Sequence, residues 1–246
     1  MSRIKRSFHF MPDTTALRIL SGDGMLHDRD IREPLFMYLE QEFGRIRIIE
    51  EKQMGRSRAD IVMIGDSGIC GIEIKSDADT YARLARQTKD YDRYYDKNIA
   101  VVGTSHAMHI EEHVPDWWGI ITVEETEAGA DFYFLRRPGE NPAENLTAMQ
   151  IGMLWRRELN HVLELNGLPA YREKSRKFVA AKIMEKVPEE ILKGQIREEL
   201  MQRDYTTIAR DIEEYREQKV REAVARRVAA RAGRTAGAKR RRKIFR

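Results

Sequence analysis

Apolar residues in this chain change their period at a few sharp points, and those points divide it into elements. Ile31, Leu35, Tyr38/Leu39 and Phe43 recur at helical spacing, which predicts a helix over Asp28–Phe43 with Asp28 as N-cap. Pro34 belongs in its first turns, where a missing N–H matters least. Arg45–Glu51 alternates instead, with Ile46, Ile48 and Glu50 on one face of a first strand. Asp60–Gly65 and Ile69–Ile74 are apolar, β-branched runs joined by Asp66-Ser67-Gly68, and they read as a hairpin with turn chemistry between its strands. A helix over Thr80–Tyr95, a fully buried strand at Ile99–Gly103, a strand at Trp117–Glu124 and an edge partner at Ala130–Leu135 follow. This β-β-β-α-β order behind a leading helix predicts an α/β sandwich with a mixed sheet.

Residues 1 to 27 show no clear period, and Arg136–Pro142 gathers the Pro, Gly and Asn that mark a linker. Beyond it the pattern is helical throughout: Ala148–Leu165, Ser175–Lys186, Pro188–Gln202 and a long helix over Thr206–Ala232. The expected organisation is therefore a mixed-sheet domain over residues 1–137 and an all-helical C-terminal region over 138–246. Apolar residues in the long helix shift from Ile208, Ile212 and Tyr215 to Val220, Val224 and Val228, a broken repeat that argues only weakly for a coiled coil.

Charge refines this picture. The 246 residues carry a net charge of only +4, yet twelve of the 44 Lys and Arg lie from Lys219 onward beside a single acid, Glu222. The rest of the chain is net acidic. Lys239–Lys243 reads as a solvated basic tail that would grip phosphates if the partner is a nucleic acid. The one cysteine, Cys70, sits in a buried-strand pattern, and no apolar run nears the ~20 residues of a membrane span, so a cytoplasmic chain with no membrane partner is expected.

The chemistry concentrates in the hairpin. Side chains alternate along a strand, so Glu73 and Lys75 project from one face about 7 Å apart, and the neighbouring strand brings Asp60 to the same end. Two carboxylates and an ammonium in apolar sheet cost desolvation, and the bland reading is a buried ion pair. A hard divalent cation compensates better. Mg2+ or Mn2+ would take oxygens from Asp60 and Glu73, with help from the carbonyl of Ile74 and several waters, while Lys75 polarises an attacking water.

Asp60 followed by Glu73-Ile74-Lys75 resembles the PD-(D/E)XK nuclease superfamily, with Ala59 where the motif's proline would stand. Gln87 and Tyr91 are similar to the QxxxY motif of its RecB-like branches. Asp28–Glu33, Ser57–Asp60, Glu73–Thr80 and Pro115–Ile120 resemble a small bacterial family within the superfamily. The resemblance implies a restriction-endonuclease-like fold and metal-dependent hydrolysis of DNA, with a homodimer or two binding events needed for a duplex break. It also implies a setting in phage defence, mobile-element biology or repair. It further implies an extra acid on the first helix, for which Glu33 is the candidate, Glu40 the competitor and Glu51 a third option. Gln87 and Tyr91, four apart on one helix face, would reach the scissile phosphate and support that contact, against a reading of the tyrosines as core.

Three other features carry blander readings. His106, His109 and His113 share a helical face that reads as partly exposed rather than as a zinc site, and Asp77 and Asp79 read as helix caps. Of Trp117 and Trp118, one anchors the core and a base-stacking role falls to the other. Leu163–Pro169 with Lys174–Lys177 resembles a helix-extended-helix DNA-binding module of the SAP type, against a plain helical hairpin. The rival to the enzyme is a nucleic-acid- or partner-binding protein on the same fold that does not hydrolyse.

Overall fold

The computed structural model describes residues 28–126 and 129–203. The expected hairpin lies inside a six-stranded mixed sheet in chain order. Helix α1 (Asp28–Phe43) leads into β1 (Arg47–Met54), β2 (Ser57–Gly65) and β3 (Gly68–Lys75). These three strands pair antiparallel, β3 pairs parallel with β4 (Lys97–Gly103), and β4 pairs parallel with β5 (Gly119–Thr126). The antiparallel edge strand β6 (Gly129–Arg136) completes the sheet. Between β3 and β4 the chain makes a 3-10 turn at Tyr81–Arg83 and helix α2 (Leu84–Tyr91), shorter than the helix that periodicity predicts.

Every residue of β3 is buried, because helices cover both faces of the sheet there. Ile31, Leu35 and Leu39 of α1 pack with Ile61, Ile72, Ile74 and Val101 on one face. On the other, the Tyr91 and Tyr95 rings lie directly over Gly71. A Cβ built on Gly71 would come 2.3 Å from Tyr95 and 2.6 Å from Tyr91, so the absence of a side chain there lets α2 seat against β3. Trp118, fully buried, closes this layer and donates its indole N–H to Asp92 (2.8 Å), which makes it the core anchor of the tryptophan pair.

Two expected helices take other forms. Residues 104–113 hold a short helix α3 (Thr104–Ala107) and a separate 3-10 turn at Ile110–Glu112, so the three histidines do not share one helix. His106 meets the Asp79 carbonyl at 3.2 Å, and the His113 ring lies 4.0 Å from Tyr81. Among the described residues no group of three His, Cys, Asp or Glu is placed to hold a metal ion. The span Ala148–Leu165 is interrupted into α4 (Leu146–Gln150), a 3-10 turn at Ile151–Met153 and α5 (Arg156–Leu165). The extended residue Leu154 breaks it, and α5 restarts where Glu158 accepts from the Trp155 N–H at 2.6 Å.

Helices α6 (Arg176–Lys186), capped by Ser175, and α7 (Glu189–Gln202) follow as expected. The chain forms two compact units, Met1–Arg197 and Glu198–Arg246. Within the first, Asn141 donates to the carbonyls of Asp92 (2.8 Å) and Tyr95 (2.7 Å), and Gln150 donates to Asp96 (2.8 Å). The start of the helical segment is thereby tied to the end of α2. The expected long helix Thr206–Ala232 and the basic tail lie outside the described residues. Among the described residues no helix is long and apolar enough to cross a membrane.

Candidate active site

The ladder between β1 and β2 skips one step, and the chemistry gathers there. Glu50 pairs with Ile61 and Lys52 with Ala59, whereas Glu51, opposite Asp60, leaves the ladder with φ at +54°. On the other side the β2–β3 pairing runs only to Ile61 and Ile72, one step short of Asp60 and Glu73. Asp60 is therefore a strand residue whose backbone is served by side chains. Its N–H donates to the Tyr91 hydroxyl (3.3 Å), and its carbonyl accepts from Arg32 (3.4 Å). Its carboxylate accepts the Ile74 N–H at 2.9 Å. A strand residue's N–H and C=O leave on the same side, which directs the Ile74 carbonyl toward Asp60 as well.

Glu73 is 1% exposed and gripped from three directions. Lys75 donates to its Oε1 at 2.5 Å, Gln87 donates to the same oxygen, and the Tyr91 hydroxyl lies 2.8 Å from Oε2. Gln87 in turn accepts from Lys75 at 3.5 Å. The expected five residues Asp60, Glu73, Lys75, Gln87 and Tyr91 thus form one connected cluster, Gln87 and Tyr91 arriving from adjacent turns of α2.

Electrostatics follows from burial. The Asp60 carboxyl is pushed up to about 7, first by burial and then by the negative charge of Glu73, against which the Ile74 N–H and the Lys75 ammonium work. Tyr91 is held well above its ordinary range by burial and by Glu73 and Asp60, so it remains a protonated donor. The cluster opens into a cleft of about 470 Å³.

Glu33 is not part of it. It is exposed and outside the cleft, as is Glu40, because the helix turns Asp28 and Arg32 toward the sheet end and Glu33 about 100° away. Arg32 occupies that position instead. It bonds Asp28 at 2.8 Å and Glu51 at 2.7 Å and approaches Asp60 at 3.8 Å. Burial works against its charge, but these carboxylates outweigh it and hold the guanidinium above its usual range. Glu51, the third option, does line the cleft, where it also pairs with Arg58 at 2.5 Å. The sequence signal for this network was the i, i+4 pair Asp28/Arg32.

Asp77 and Asp79 are not caps of α2. Asp79 accepts from the backbone N–H (2.9 Å) and hydroxyl (2.7 Å) of Ser76, and Asp77 accepts from the N–H of Ser105 in α3 (3.0 Å). They shape the loop leaving β3. Trp117 does not line the cleft.

The family model described as Bacteriophage P4 protein cII matches residues 36–228, a span that holds β1 to α7 and the whole Asp60–Tyr91 cluster. The chain belongs to this family. Among solved structures it is similar to SPO1766, a protein of unknown function from Silicibacter pomeroyi, at 18% identity over 54% of this chain and 88% of the other, with a TM-score of 0.35. It is also similar to Pyrococcus furiosus SfsA, solved in complex with Ca2+, at 17% identity over 43% of this chain and 59% of that one, with a TM-score of 0.27. No curated protein matches the chain.

Proposed function

We propose that the chain is a metal-dependent nuclease of the PD-(D/E)XK type with a restriction-endonuclease-like fold, hydrolysing phosphodiester bonds in DNA. The observation that carries this reading is the convergence of Asp60, Glu73 and Lys75 at the open end of β3, with Gln87 and Tyr91 behind them.

The donor set fits a hard divalent cation. Burial first and the nearby charge of Glu73 second raise the Asp60 carboxyl to about 7, and a cation between the two carboxylates would relieve that repulsion. Asp60, Glu73 and the Ile74 carbonyl would hold Mg2+ or Mn2+, which keeps several waters of its own. Bound there, the metal would act as a Lewis acid and neutralise charge on the scissile phosphate.

The protein's own groups do the rest. Glu73 and Gln87 hold the Lys75 ammonium at the cleft, and its remaining donor capacity is available to an attacking water or to a phosphate oxygen. The second N–H of the Gln87 amide, the one not given to Glu73, can donate to a phosphate oxygen. Tyr91 fixes the Glu73 carboxylate and the Asp60 backbone together, which sets the distance between the two ligands. The family's description names a bacteriophage protein, in keeping with mobile-element biology.

One feature favours the non-hydrolysing rival. Glu73 is buried and its oxygens are already engaged by Lys75, Gln87 and Tyr91, as in a purely structural ion pair. The two readings separate on incubation of single-stranded, nicked and duplex DNA with Mg2+ or Mn2+. Cleavage that disappears in Glu73→Gln and Lys75→Met, with DNA binding retained, supports the enzyme. Binding by the wild type without any cleavage supports the rival.

A further inference from the structure

A second cavity, of about 290 Å³, adjoins the first. It is lined by Tyr94, Tyr95, Met149, Gly152 and Met153, and Gln53 lines both cavities. The wall between them is the turn joining β1 and β2, and it is firmly placed. Gln53 donates to the carbonyls of Gly55 (3.2 Å) and Ser57 (2.9 Å), and the Gly55 N–H donates to the Tyr94 hydroxyl (3.2 Å). Gly55 sits at φ +52° with Asp90 so near that a Cβ would come 2.9 Å from its carboxylate.

The two cavities differ in chemistry. At the first, the exposed Arg56, Arg83 and Arg86 ring the buried acids, and none of the three has an acidic partner among the described residues. The second offers a half-buried tyrosine ring and two methionine side chains. Its floor includes Tyr95, fully buried, whose hydroxyl has no hydrogen-bond partner.

Resting on the phosphodiester reading of the first cleft, we infer that the second cavity receives a nucleobase of the same strand, so that the chain takes unpaired nucleic acid. Arg56, Arg83 and Arg86 carry the phosphates, and a base stacks on Tyr94 against Met149 and Met153 one step past the Gln53 wall. Cationic tracking beside an aromatic platform is how single strands are held without reading their sequence. A base held in a duplex stack cannot enter a pocket of this kind without leaving the stack.

Binding in metal-free buffer tests this without any turnover. Fluorescence anisotropy would compare a single strand of about 12 nucleotides, the same backbone built from abasic tetrahydrofuran units, and a blunt duplex. The single strand is expected to bind roughly tenfold more tightly than the other two. Gly152→Trp fills the cavity from a position with open space around it, so it should lower single-strand affinity to the abasic level and leave the other two probes where they were. Met149→Asp serves as a second variant if the first does not fold. The Arg83→Ala/Arg86→Ala pair should weaken all three probes and flatten the salt dependence.

A duplex that binds as tightly as the single strand overturns the inference, as does a filled cavity that changes nothing. Hydrolysis of bis(p-nitrophenyl) phosphate with Mn2+ reports on the nuclease reading alone, since that diester carries no base. Single-strand preference without hydrolysis sinks the enzyme and leaves this inference standing, whereas hydrolysis without base preference does the reverse.

Discussion

Asp60 is the residue on which stability and the proposed function pull in opposite directions. Its carboxyl is raised from an ordinary 3.8 to about 7 by burial and by Glu73, so the folded chain holds this proton more tightly than the unfolded chain does. Stability therefore falls as pH rises from about 4 to 7 and stays at the lower level above that window. Asp60→Asn removes the penalty while its amide oxygen keeps the Ile74 N–H bond. In metal-free buffer the variant should melt several degrees above wild type at pH 8 and level with it at pH 4, at roughly 2–4 °C per kcal/mol. Equal melting points at both pH values would remove the repulsion argument. Added Mg2+ should raise the melting point of wild type only. Tyr91→Phe deletes the hydroxyl shared by Glu73, the Ile72 carbonyl and the Asp60 N–H, and should cost about 1–3 kcal/mol in urea unfolding. At this scale Asp60, Glu73 and Lys75 were legible because strand alternation puts them at one end of the sheet. Gln87 and Tyr91 were singled out by their resemblance to the QxxxY motif, periodicity adding only that they share a helix face. Arg32 was not, since its role depends on how α1 crosses the end of the sheet.

The element that makes the site is the β2–β3 hairpin with α2 laid on it. Gly71→Ala should separate them, because the new methyl meets two buried rings rather than flexible chain ends. A loss of about 1–3 kcal/mol is expected, with proportionally greater damage to activity as Gln87 and Tyr91 move off Glu73. Unchanged stability and turnover would show that α2 can shift freely. The hairpin was readable from its β-branched runs and turn residues, down to strand ends within a few positions. The shortening of α2 and the break at Leu154 were not readable, because the residues concerned have ordinary helical propensity and only packing ends the helix. The segment between α5 and α6 shows the same limit. There Arg156 is taken up by the carbonyls of Tyr171 (2.7 Å) and Lys174 (2.5 Å), a structural duty no sequence pattern announces.

At the scale of the whole molecule, a net-acidic stretch of sequence and a basic C-terminal segment share one chain. If the tail touches phosphates, deleting Lys239–Arg246 should weaken DNA binding and reduce the slope of log affinity against log salt by close to one for each phosphate it no longer neutralises. A slope that stays put would leave Arg56, Arg83 and Arg86 as the phosphate-binding groups. The sequence by itself determined the α/β class, the strand order along the chain and which ionisable groups of the hairpin lie together, because all three follow from local period and alternation. Only the tertiary structure decided that Arg32 and not Glu33 faces Asp60, and that Glu51 leaves the ladder opposite it. It also decided that a second cavity opens behind Gln53. Each of these depends on the angle and depth at which separate elements meet, and that is set by packing between residues far apart in the chain.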